Sequence, residues 1–365
     1  MGRPSRVGRP ARRPPRKEPC MDWTVSKQRI LVRPHPGADA LDLLKVGQHQ
    51  LVARKGQYRD DDVVLFIAEK SLLPAGPLQE EFGAYLVGAE RNRVTHLRLR
   101  GEFSGGVTWP LDELHRFGPA VEQAILTAPI GENVAALLGI TKYEPPVPQS
   151  LAGQVEAIDD APHFGEHDVL YLGAYLPEFA PDEPVIVTEK LHGSQVNVYV
   201  TEAKVTVTSK GLAARGLRIL EDAGNTYWRA VRASRLLDLA REAFPGRAVQ
   251  LFGEVLPVQK GFSYGFDTPV VRLFEVRVDG ESVAYRDLSE TLRALWVPML
   301  DEGPLDLARI QALAKGQETV SGRALHLKEG VVVRPADPAR RAQDGSRLQL
   351  KVLNPKYKDA DDAIN

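Results

Sequence analysis

A proline-rich segment predicts that this chain is divided into two domains. Residues 143–148 read YEPPVP, and their three prolines remove backbone donors that a helix or a central strand needs. We interpret residues 143–168 as a linker between a domain of residues 21–142 and a domain of residues 169–365. At 365 residues the chain is long enough for two hydrophobic cores.

The first domain has the pattern of a small β-barrel. Short runs rich in β-branched residues alternate with glycine-containing turns, at residues 28–32, 50–54, 63–69, 96–100 and 106–109. Residues 36–40 (PGADA) are typical of a turn that leads into a short helix. The pattern is consistent with a closed barrel, and a sandwich of two sheets has the same pattern.

The second domain mixes strands with helices. Residues 225–244, 287–295 and 305–314 have the apolar spacing of helices, between β-prone runs. The sequence contains no internal repeat and no P-loop. The prediction for this domain is an α+β fold with mainly antiparallel sheets.

The composition indicates a protein of a reducing, aqueous compartment. No run approaches the ~20 apolar residues of a membrane helix, and the N-terminus lacks the apolar core of a signal peptide. The one cysteine, Cys20, excludes an internal disulfide framework and zinc sites built from cysteines. We therefore predict a cytoplasmic protein, with a monomer as the simplest state.

Residues 1–20 differ in composition from the remainder. They carry six arginines, one lysine and five prolines against one glutamate, so they cannot bury apolar surface and are predicted to be disordered. One interpretation is an arm that binds phosphate backbones. The other, which we favour, is a translated upstream extension with Met21 as the natural start.

A lysine at the end of a β-prone run is the first candidate for chemistry. Lys190 lies in VTEKLHGSQ, after residues 185–188 and before the β-prone residues 196–200, and Gly193 follows three positions later. These runs predict a hairpin with Lys190 beside a tight turn. Such a lysine is either a solvated charge or a nucleophile that two strands hold in place.

Further stretches of the second domain combine charge with an apolar strand. Glu254 follows LFG, Phe274 lies in VRLFEV, Glu329 precedes GVVVR, and Lys351 ends RLQLK. Each has an ordinary explanation: an edge-strand charge, a core aromatic or a solvated lysine. His163 and His167 are spaced four apart, but they follow Pro162 in a predicted loop and are interpreted as structural.

Taken in order, these stretches resemble the motif series of the covalent nucleotidyltransferases, which include RNA ligases, DNA ligases and capping enzymes. The series covers residues 188–354, and EKLHG with a downstream glutamine and Tyr-Gly is most similar to RNA ligases. The segments HPGADALDLLKVG, VARKGQY and LRLRGEFSGGV resemble the N-terminal OB-like module of one RNA ligase branch. The resemblance implies an OB-like barrel followed by an α+β nucleotidyltransferase domain.

Two further observations narrow the type of enzyme that the resemblance implies. Only 14 residues follow Lys351, too few for the C-terminal OB domain of DNA ligases and capping enzymes. A nicotinamide-binding signature is also missing. ATP, with Mg²⁺ or Mn²⁺, is therefore the expected cofactor.

The resemblance also implies a role for each motif residue. Lys190 attacks ATP to form lysyl-AMP, and a lysine amine is nucleophilic only in its neutral form. His192 assists transfer of AMP, Glu254 binds the ribose, Phe274 stacks on adenine, and Lys351 contacts the α-phosphate. Glu329 holds the metal, because hard cations prefer oxygen ligands. The remaining expected nucleotide contacts are Glu189, Leu191, Gly193, Gln195 and Lys210.

The last motif departs from its usual form. It is often Lys-x-Lys, whereas this chain has Gln349-Leu350-Lys351 followed by Leu353. Either Lys351 is the second lysine and Gln349 replaces the first, or Leu353 replaces the second. In either case Lys351 would have to make the contacts that two lysines make in the usual motif.

The expected partner is RNA, as a nicked RNA duplex or an RNA/DNA hybrid, which would make the protein an RNA repair enzyme. Lys55, Arg98 and Arg100 are candidates for contact with the nucleic-acid backbone. They are explained equally well as ordinary solvent-exposed basic residues without a binding role. Two alternatives remain: a ligase that prefers DNA nicks, and a catalytically silent RNA-binding protein with the same fold.

Overall fold

The computed structural model describes residues 23–47, 49–158, 164, 169–342 and 347–357. Residues 1–20, His163 and His167, for which the sequence made predictions, lie outside this set. The described residues form mostly antiparallel sheets combined with short helices, which confirms the α+β prediction. Among them no helix is both long and apolar enough to span a membrane.

The N-terminal part contains short strands and two short α-helices. The strands are β1 (Val25–Pro34), β2 (Leu41–Val46), β3 (His49–Arg54), β4 (Val63–Ala68), β5 (Ser71–Leu72), β6 (Leu97–Leu99), β7 (Glu102–Ser104), β8 (Gly106–Pro110) and β9 (Thr141–Lys142). The helices are α1 (Pro77–Phe82) and α2 (Pro119–Thr127), with 3₁₀ turns at Gly83–Tyr85, Leu111–Phe117 and Ala135–Leu138.

A curved antiparallel sheet in the order β3-β2-β1-β4-β8 dominates this part. The long strand β1 pairs with β4 through its first half and with β2 through its second half, so the sheet bends along β1. The far edge of β3 then meets the β7–β8 corner, where Gly105 N donates to Gln50 O at 2.9 Å. The result is a half-barrel.

The predicted short helix after residues 36–40 is wrong. Those residues form turns that lead directly into strand β2. Leu44 and Val46 of β2 are buried opposite β1, so their burial as a strand outweighs the local turn signal. The ring of His35 accepts a hydrogen bond from Gly37 N at 3.0 Å through Nδ1, and its Nε2 lies 3.1 Å from Leu99 O, which ties the turn to β6.

The C-terminal part contains the remaining strands and helices. The strands are β10 (Val155–Ala157), β11 (Leu170–Tyr171), β12 (Pro184–Lys190), β13 (Ser194–Val200), β14 (Val205–Ser209), β15 (Leu217–Ile219), β16 (Val249–Leu256), β17 (Val270–Val278), β18 (Glu281–Ser282), β19 (Met299–Pro304), β20 (Gly330–Pro335) and β21 (Leu350–Leu353). The helices are α3 (Leu172–Tyr175), α4 (Lys210–Ala213), α5 (Thr226–Ala233), α6 (Leu236–Ala243), α7 (Glu290–Ala294) and α8 (Leu307–Leu313), with 3₁₀ turns at Gln149–Leu151, Leu176–Glu178 and Tyr285–Asp287. Strand β10, inside the segment interpreted as a linker, pairs with β15.

Two five-stranded sheets form the framework of the C-terminal part, in the orders β11-β21-β20-β12-β19 and β14-β13-β16-β17-β18. The predicted hairpin around Lys190 is wrong, because β12 and β13 belong to different sheets and pair with different neighbours. Residues 191–193 cross from one sheet to the other. Lys190 therefore lies where the two sheets meet, which local sequence could not reveal because both runs look alike as strands.

Side chains alternate between the two faces of β16, and this alternation places Glu254 on the face toward the other sheet. Leu251 and Val255 pack in the same hydrophobic cluster as Trp228 and Val231 of α5, so Glu254 lies on the opposite face. The single helix predicted over residues 225–244 is wrong: α5 and α6 are separated at Arg235, whose φ of 49° is left-handed. There Ser234 Oγ accepts a hydrogen bond from Val271 N at 2.8 Å, which attaches the break to β17.

Candidate active site

Lys190 and Glu329 form an ion pair at the junction of the two sheets. Lys190 is the last residue of β12 and pairs with Gly330 of β20, which brings the preceding Glu329 beside it. The Nζ and Oε1 atoms are 2.5 Å apart, with 21% and 11% of the two side chains exposed. Burial alone would raise the pKa of Glu329, but hydrogen bonding from His192 and the charge of Lys190 lower it below its usual value.

A pocket of about 400 Å³ lies next to this pair. It contains nine of the predicted residues: Glu189, Lys190, Leu191, Gly193, Gln195, Lys210, Glu254, Phe274 and Lys351. Ser194, Thr188, Val169, Val297, Val332, Arg334 and Gln349 complete its wall. His192 and Glu329 lie beside the pocket and are connected to it through Lys190.

Phe274 reaches the pocket through an irregularity in the sheet. The register between β16 and β17 shifts after Phe252, and Phe274 is the residue of β17 left without a partner there. Val297 and Val332, which the sequence analysis missed, supply apolar wall beside it. A flat apolar ligand therefore has both an aromatic ring and aliphatic surface available.

Arg334 is another residue of the pocket wall that the sequence analysis did not single out. Its Nη1 donates to Phe274 O at 2.7 Å, and its guanidinium lies 5.2 Å from the Trp296 ring. Burial lowers the pKa of Arg334 to about 10. The available signal was a charged residue at the end of the apolar run GVVVR.

Glu189 is a buried carboxyl group in the wall of the pocket. Its side chain is 1% exposed, and Oε2 accepts hydrogen bonds from Thr319 N at 2.9 Å and Thr319 Oγ1 at 2.6 Å. Within the described part of the chain Oε1 is buried without a hydrogen-bond partner. Burial raises the pKa of this carboxyl group.

Gly193 allows the crossing segment to lie directly on β16. A Cβ atom at this position would collide with Val255 O and would lie 2.8 Å from Glu254 Cγ. Gly193 N donates to Glu254 Oε1 at 3.1 Å. Glycine is thus required for the contact between the crossing segment and the carboxylate.

Glu254 has the strongest pKa perturbation of the pocket carboxylates. Burial raises its pKa from 4.5 to about 7, with Glu329 adding to the rise and Lys190 opposing it. A raised folded-state pKa favours the protonated form, so its stabilising contribution is complete below pH 4.5 and is lost as the pH rises through about 7.

We expect Glu254→Gln to remove this pH dependence. Between pH 4.5 and pH 8 the free energy of unfolding of the variant should rise by about 3 kcal/mol relative to that of the wild type. Urea unfolding at the two pH values measures the difference, and the other titrating groups cancel because both proteins share them. Parallel pH profiles for the two proteins would contradict the assignment.

His192 lies in an aromatic cluster on the other side of Lys190. A 2.5 Å hydrogen bond joins His192 Nδ1 and Tyr357 Oη, Glu329 Oε2 is 3.6 Å from the same nitrogen, and the Phe262 ring is 4.2 Å away. His192 N donates to Tyr264 Oη at 2.7 Å. Sequence reasoning missed Tyr357, because a tyrosine six residues after Lys351 carries no local signal of this contact.

The predicted nucleic-acid contacts lie on the N-terminal domain, outside the pocket. Lys55, Arg98 and Arg100 are all exposed. Arg98 is near enough to Tyr171 that its charge opposes the rise which burial causes in the pKa of the tyrosine hydroxyl. The three residues therefore remain candidates for a surface contact.

Glu329 is the carboxylate beside Lys190 that the site offers to a metal ion. Among the described residues no group of three or more His, Cys, Asp and Glu side chains is arranged to hold a metal ion. Mg²⁺ is commonly held by one or two carboxylates together with substrate phosphates and water. Glu329, at the mouth of the pocket, fits that mode of binding.

Comparisons with known proteins agree with this geometry. Residues 183–353 match the model of the RNA ligase family. This segment contains Lys190, Glu254, Phe274, Glu329 and Lys351, so the resemblance and the prediction of an RNA ligase enzyme are confirmed. A comparison of the sequence with curated proteins found no match.

Solved structures share the fold over most of the chain. A variant of the Naegleria gruberi RNA ligase with ATP and Mn is 21% identical, with a TM-score of 0.66, and the match covers 92% of this chain and 98% of that one. The same ligase with pyrophosphate is 22% identical, with a TM-score of 0.63 and coverages of 92% and 97%. Another variant, with AMP and Mn, is 21% identical, with a TM-score of 0.65 and coverages of 91% and 97%.

Proposed function

We propose that this chain, in which residues 183–353 form an RNA ligase domain, uses ATP to join RNA 3′-hydroxyl and 5′-phosphate ends through a Lys190–AMP intermediate. The observation that carries the proposal is the Lys190–Glu329 pair, 2.5 Å apart, at the mouth of a pocket of about 400 Å³. That volume accommodates a nucleotide.

The pocket residues fit ATP. Phe274 with Val297 and Val332 offers an apolar slot for a base. Glu254 is the carboxylate available to ribose hydroxyls, and Lys210 and Lys351 add positive charge for phosphates. The Naegleria ligase, which shares the fold, was solved with ATP, AMP and pyrophosphate.

In the first step Lys190 Nζ attacks the α-phosphorus of ATP. A P–N bond forms, the P–O bond breaks so that pyrophosphate leaves with its electron pair, and the proton that the amine loses passes to water. Glu329 Oε1, 2.5 Å from Nζ, holds the amine in line with the pocket. Lys351 stabilises the charge that develops on the phosphoryl oxygens.

The next two steps pass AMP to the RNA and then release it. The RNA 5′-phosphate attacks the phosphorus of Lys190–AMP, which restores the lysine amine and gives an RNA capped with AMP. The 3′-hydroxyl of the second end displaces AMP and closes the strand. His192, held by Tyr357 and Phe262 beside Lys190, is placed to contact the incoming 5′-phosphate.

A divalent cation, Mg²⁺ or Mn²⁺, would be held by Glu329. Bound there, it would supply positive charge that offsets the negative charge of the phosphates. Hard cations prefer the oxygen ligands that this carboxylate offers. The Naegleria structures that contain Mn together with a nucleotide support the use of a divalent cation.

The N-terminal domain, residues 21–142, would bind the nucleic acid. Its half-barrel supports an OB-like assignment, and Lys55, Arg98 and Arg100 supply exposed positive charge. Within the proposal the linker spans residues 143–168, the catalytic domain spans residues 169–365, and the protein acts in the cytoplasm as a monomer. The substrate would be a nicked RNA duplex or RNA/DNA hybrid.

The nature of the 3′ end tests this substrate. We expect nicks with a ribose 3′-hydroxyl to be sealed about tenfold faster or more than otherwise identical nicks with a deoxyribose end, a difference of at least ~1.4 kcal/mol in the barrier. Sealing is followed by denaturing electrophoresis of a labelled 5′-phosphate strand. The reverse preference would favour the DNA ligase alternative, and pyrophosphate release without sealing of either nick would contradict the nick substrate.

A further inference from the structure

Tyr171 connects the N-terminal domain to the lysine of the last motif. Tyr171 ends the short strand β11, which pairs in parallel with β21 so that Tyr171 lies opposite Lys351. Lys351 Nζ is 4.3 Å from the centre of the Tyr171 ring. This distance is typical of a cation–π interaction, and Lys351 also lines the nucleotide pocket.

The same ring is held by the hairpin β6–β7 of the N-terminal domain. The rings of Phe103 and Tyr171 are 4.4 Å apart and inclined by 38°. Burial raises the pKa of the Tyr171 hydroxyl, and the nearby charge of Arg98, in β6, opposes that rise. Phe103 is itself stacked on His96 at 5.3 Å, so the contact surface is a small aromatic cluster rather than one side chain. The β6–β7 hairpin thus contacts Tyr171, and Tyr171 contacts Lys351 in the wall of the pocket.

A lysine needs such a support because its side chain is long. Four rotatable bonds allow the ammonium group many positions, and only a few lie within reach of a phosphate in the pocket. An aromatic ring beneath the ammonium group favours one of them without neutralising its charge. This chain has one lysine in a motif that often has two. No second lysine of the motif could therefore make the phosphate contact if Lys351 moved away.

We propose that Tyr171 is a positioning residue through which the β6–β7 hairpin holds Lys351 in the pocket, so that the N-terminal domain sets the rate of Lys190 adenylation. The inference rests on the proposed function, because it concerns the same nucleotide site. It assigns the N-terminal domain a part in the first step, before any RNA is present.

Two substitutions at Tyr171 test the role of the ring. The rate at saturating ATP and the KM for ATP are measured from the label that α-labelled ATP leaves on the denatured protein. We expect Tyr171→Leu to lower the saturating rate about tenfold to a hundredfold, since small misplacements of a catalytic group have effects of that size. The KM for ATP should change by less than about threefold, because most pocket contacts with ATP remain. Tyr171→Phe keeps the ring and should retain most of the rate.

The hairpin is tested by Phe103→Leu, alone and combined with Tyr171→Leu. The single variant should slow adenylation in the same direction, and the combined variant should be no slower than Tyr171→Leu, because both changes act through one ring. The matched control is Lys45→Met with Glu178→Gln, which removes a 2.9 Å ion pair between the two domains at a distance from the pocket. That control should leave the rate unchanged.

Three outcomes would overturn the inference. They are equal losses in Tyr171→Leu and Tyr171→Phe, a loss that follows the fraction of unfolded protein in a thermal melt, and additive effects of Phe103→Leu and Tyr171→Leu. Failure of the proposed function itself is distinguishable, because the wild type would then acquire no label at all. A labelled wild type with a fully active Tyr171→Leu variant would refute the inference alone.

Discussion

Replacement of Lys190 by alanine will abolish covalent labelling of the protein by α-labelled ATP. Lys190 is the lysine amine at the pocket mouth that the Glu329 carboxylate holds, and alanine has no nucleophile to form the P–N bond. The loss should exceed about a thousandfold, because removal of a covalent nucleophile leaves only binding and charge stabilisation. The measurement is label retained on the denatured protein after incubation with Mg²⁺ or Mn²⁺.

The control for this experiment is Lys315→Ala, which removes an exposed lysine of the same domain. It should be labelled like the wild type. Label that persists in Lys190→Ala would move the nucleophile to another residue. Label absent from the wild type under several metals and pH values would refute the ligase proposal and favour the catalytically silent RNA-binding alternative.

Replacement of Glu329 by alanine should have the second-largest effect, and its sign is informative. Glu329 Oε1 lies 2.5 Å from Lys190 Nζ, and Oε2 lies 3.6 Å from His192 Nδ1. If the carboxylate only held Lys190 as an ammonium ion, its removal would free the amine and adenylation would accelerate. If it aligns the amine and holds the cation, the adenylation rate should fall about a thousandfold.

We expect the fall, measured as the single-turnover rate of labelling at saturating ATP. Glu302→Ala is the matched control, because Glu302 is an exposed carboxylate on β19, a neighbour of the strand that carries Lys190. Its rate should equal that of the wild type. A Glu329→Ala rate at or above the wild-type rate would leave Glu329 as an ion-pair partner and remove it from the proposed metal site.

The residues of the pocket were predictable from sequence because their chemistry depends on residue type and order. Lys190, Glu254, Phe274, Glu329 and Lys351 each lie within or at one end of an apolar β-prone run, where a charged or aromatic residue is conspicuous. A strand also limits where its side chains point, so a residue in such a run has few possible positions. Nine of the predicted residues accordingly line one pocket, and Glu329 lies beside it.

The supporting residues were not predictable in the same way. Thr319, which holds Glu189, lies 130 residues from it, and Tyr357, which holds His192, lies 165 residues away. Neither belongs to a pattern that distinguishes it from an ordinary polar or core residue. Two predictions from local sequence were wrong: a hairpin around Lys190 and a helix after residues 36–40. In each case the observed structure is set by pairing with another strand, β12 with β20 and β2 with β1.

The sequence by itself determined the α+β class and the set of chemical groups available for the reaction, and it predicts a division at the proline-rich segment. Composition, spacing and the order of motifs carry that information, because each depends only on which residues occur and in what succession. The tertiary structure alone decided that Lys190 meets Glu329 across 139 residues and that Tyr171 joins the β6–β7 hairpin to Lys351. Those contacts depend on strand register and on which sheet each strand joins, and burial summed over the whole fold sets both.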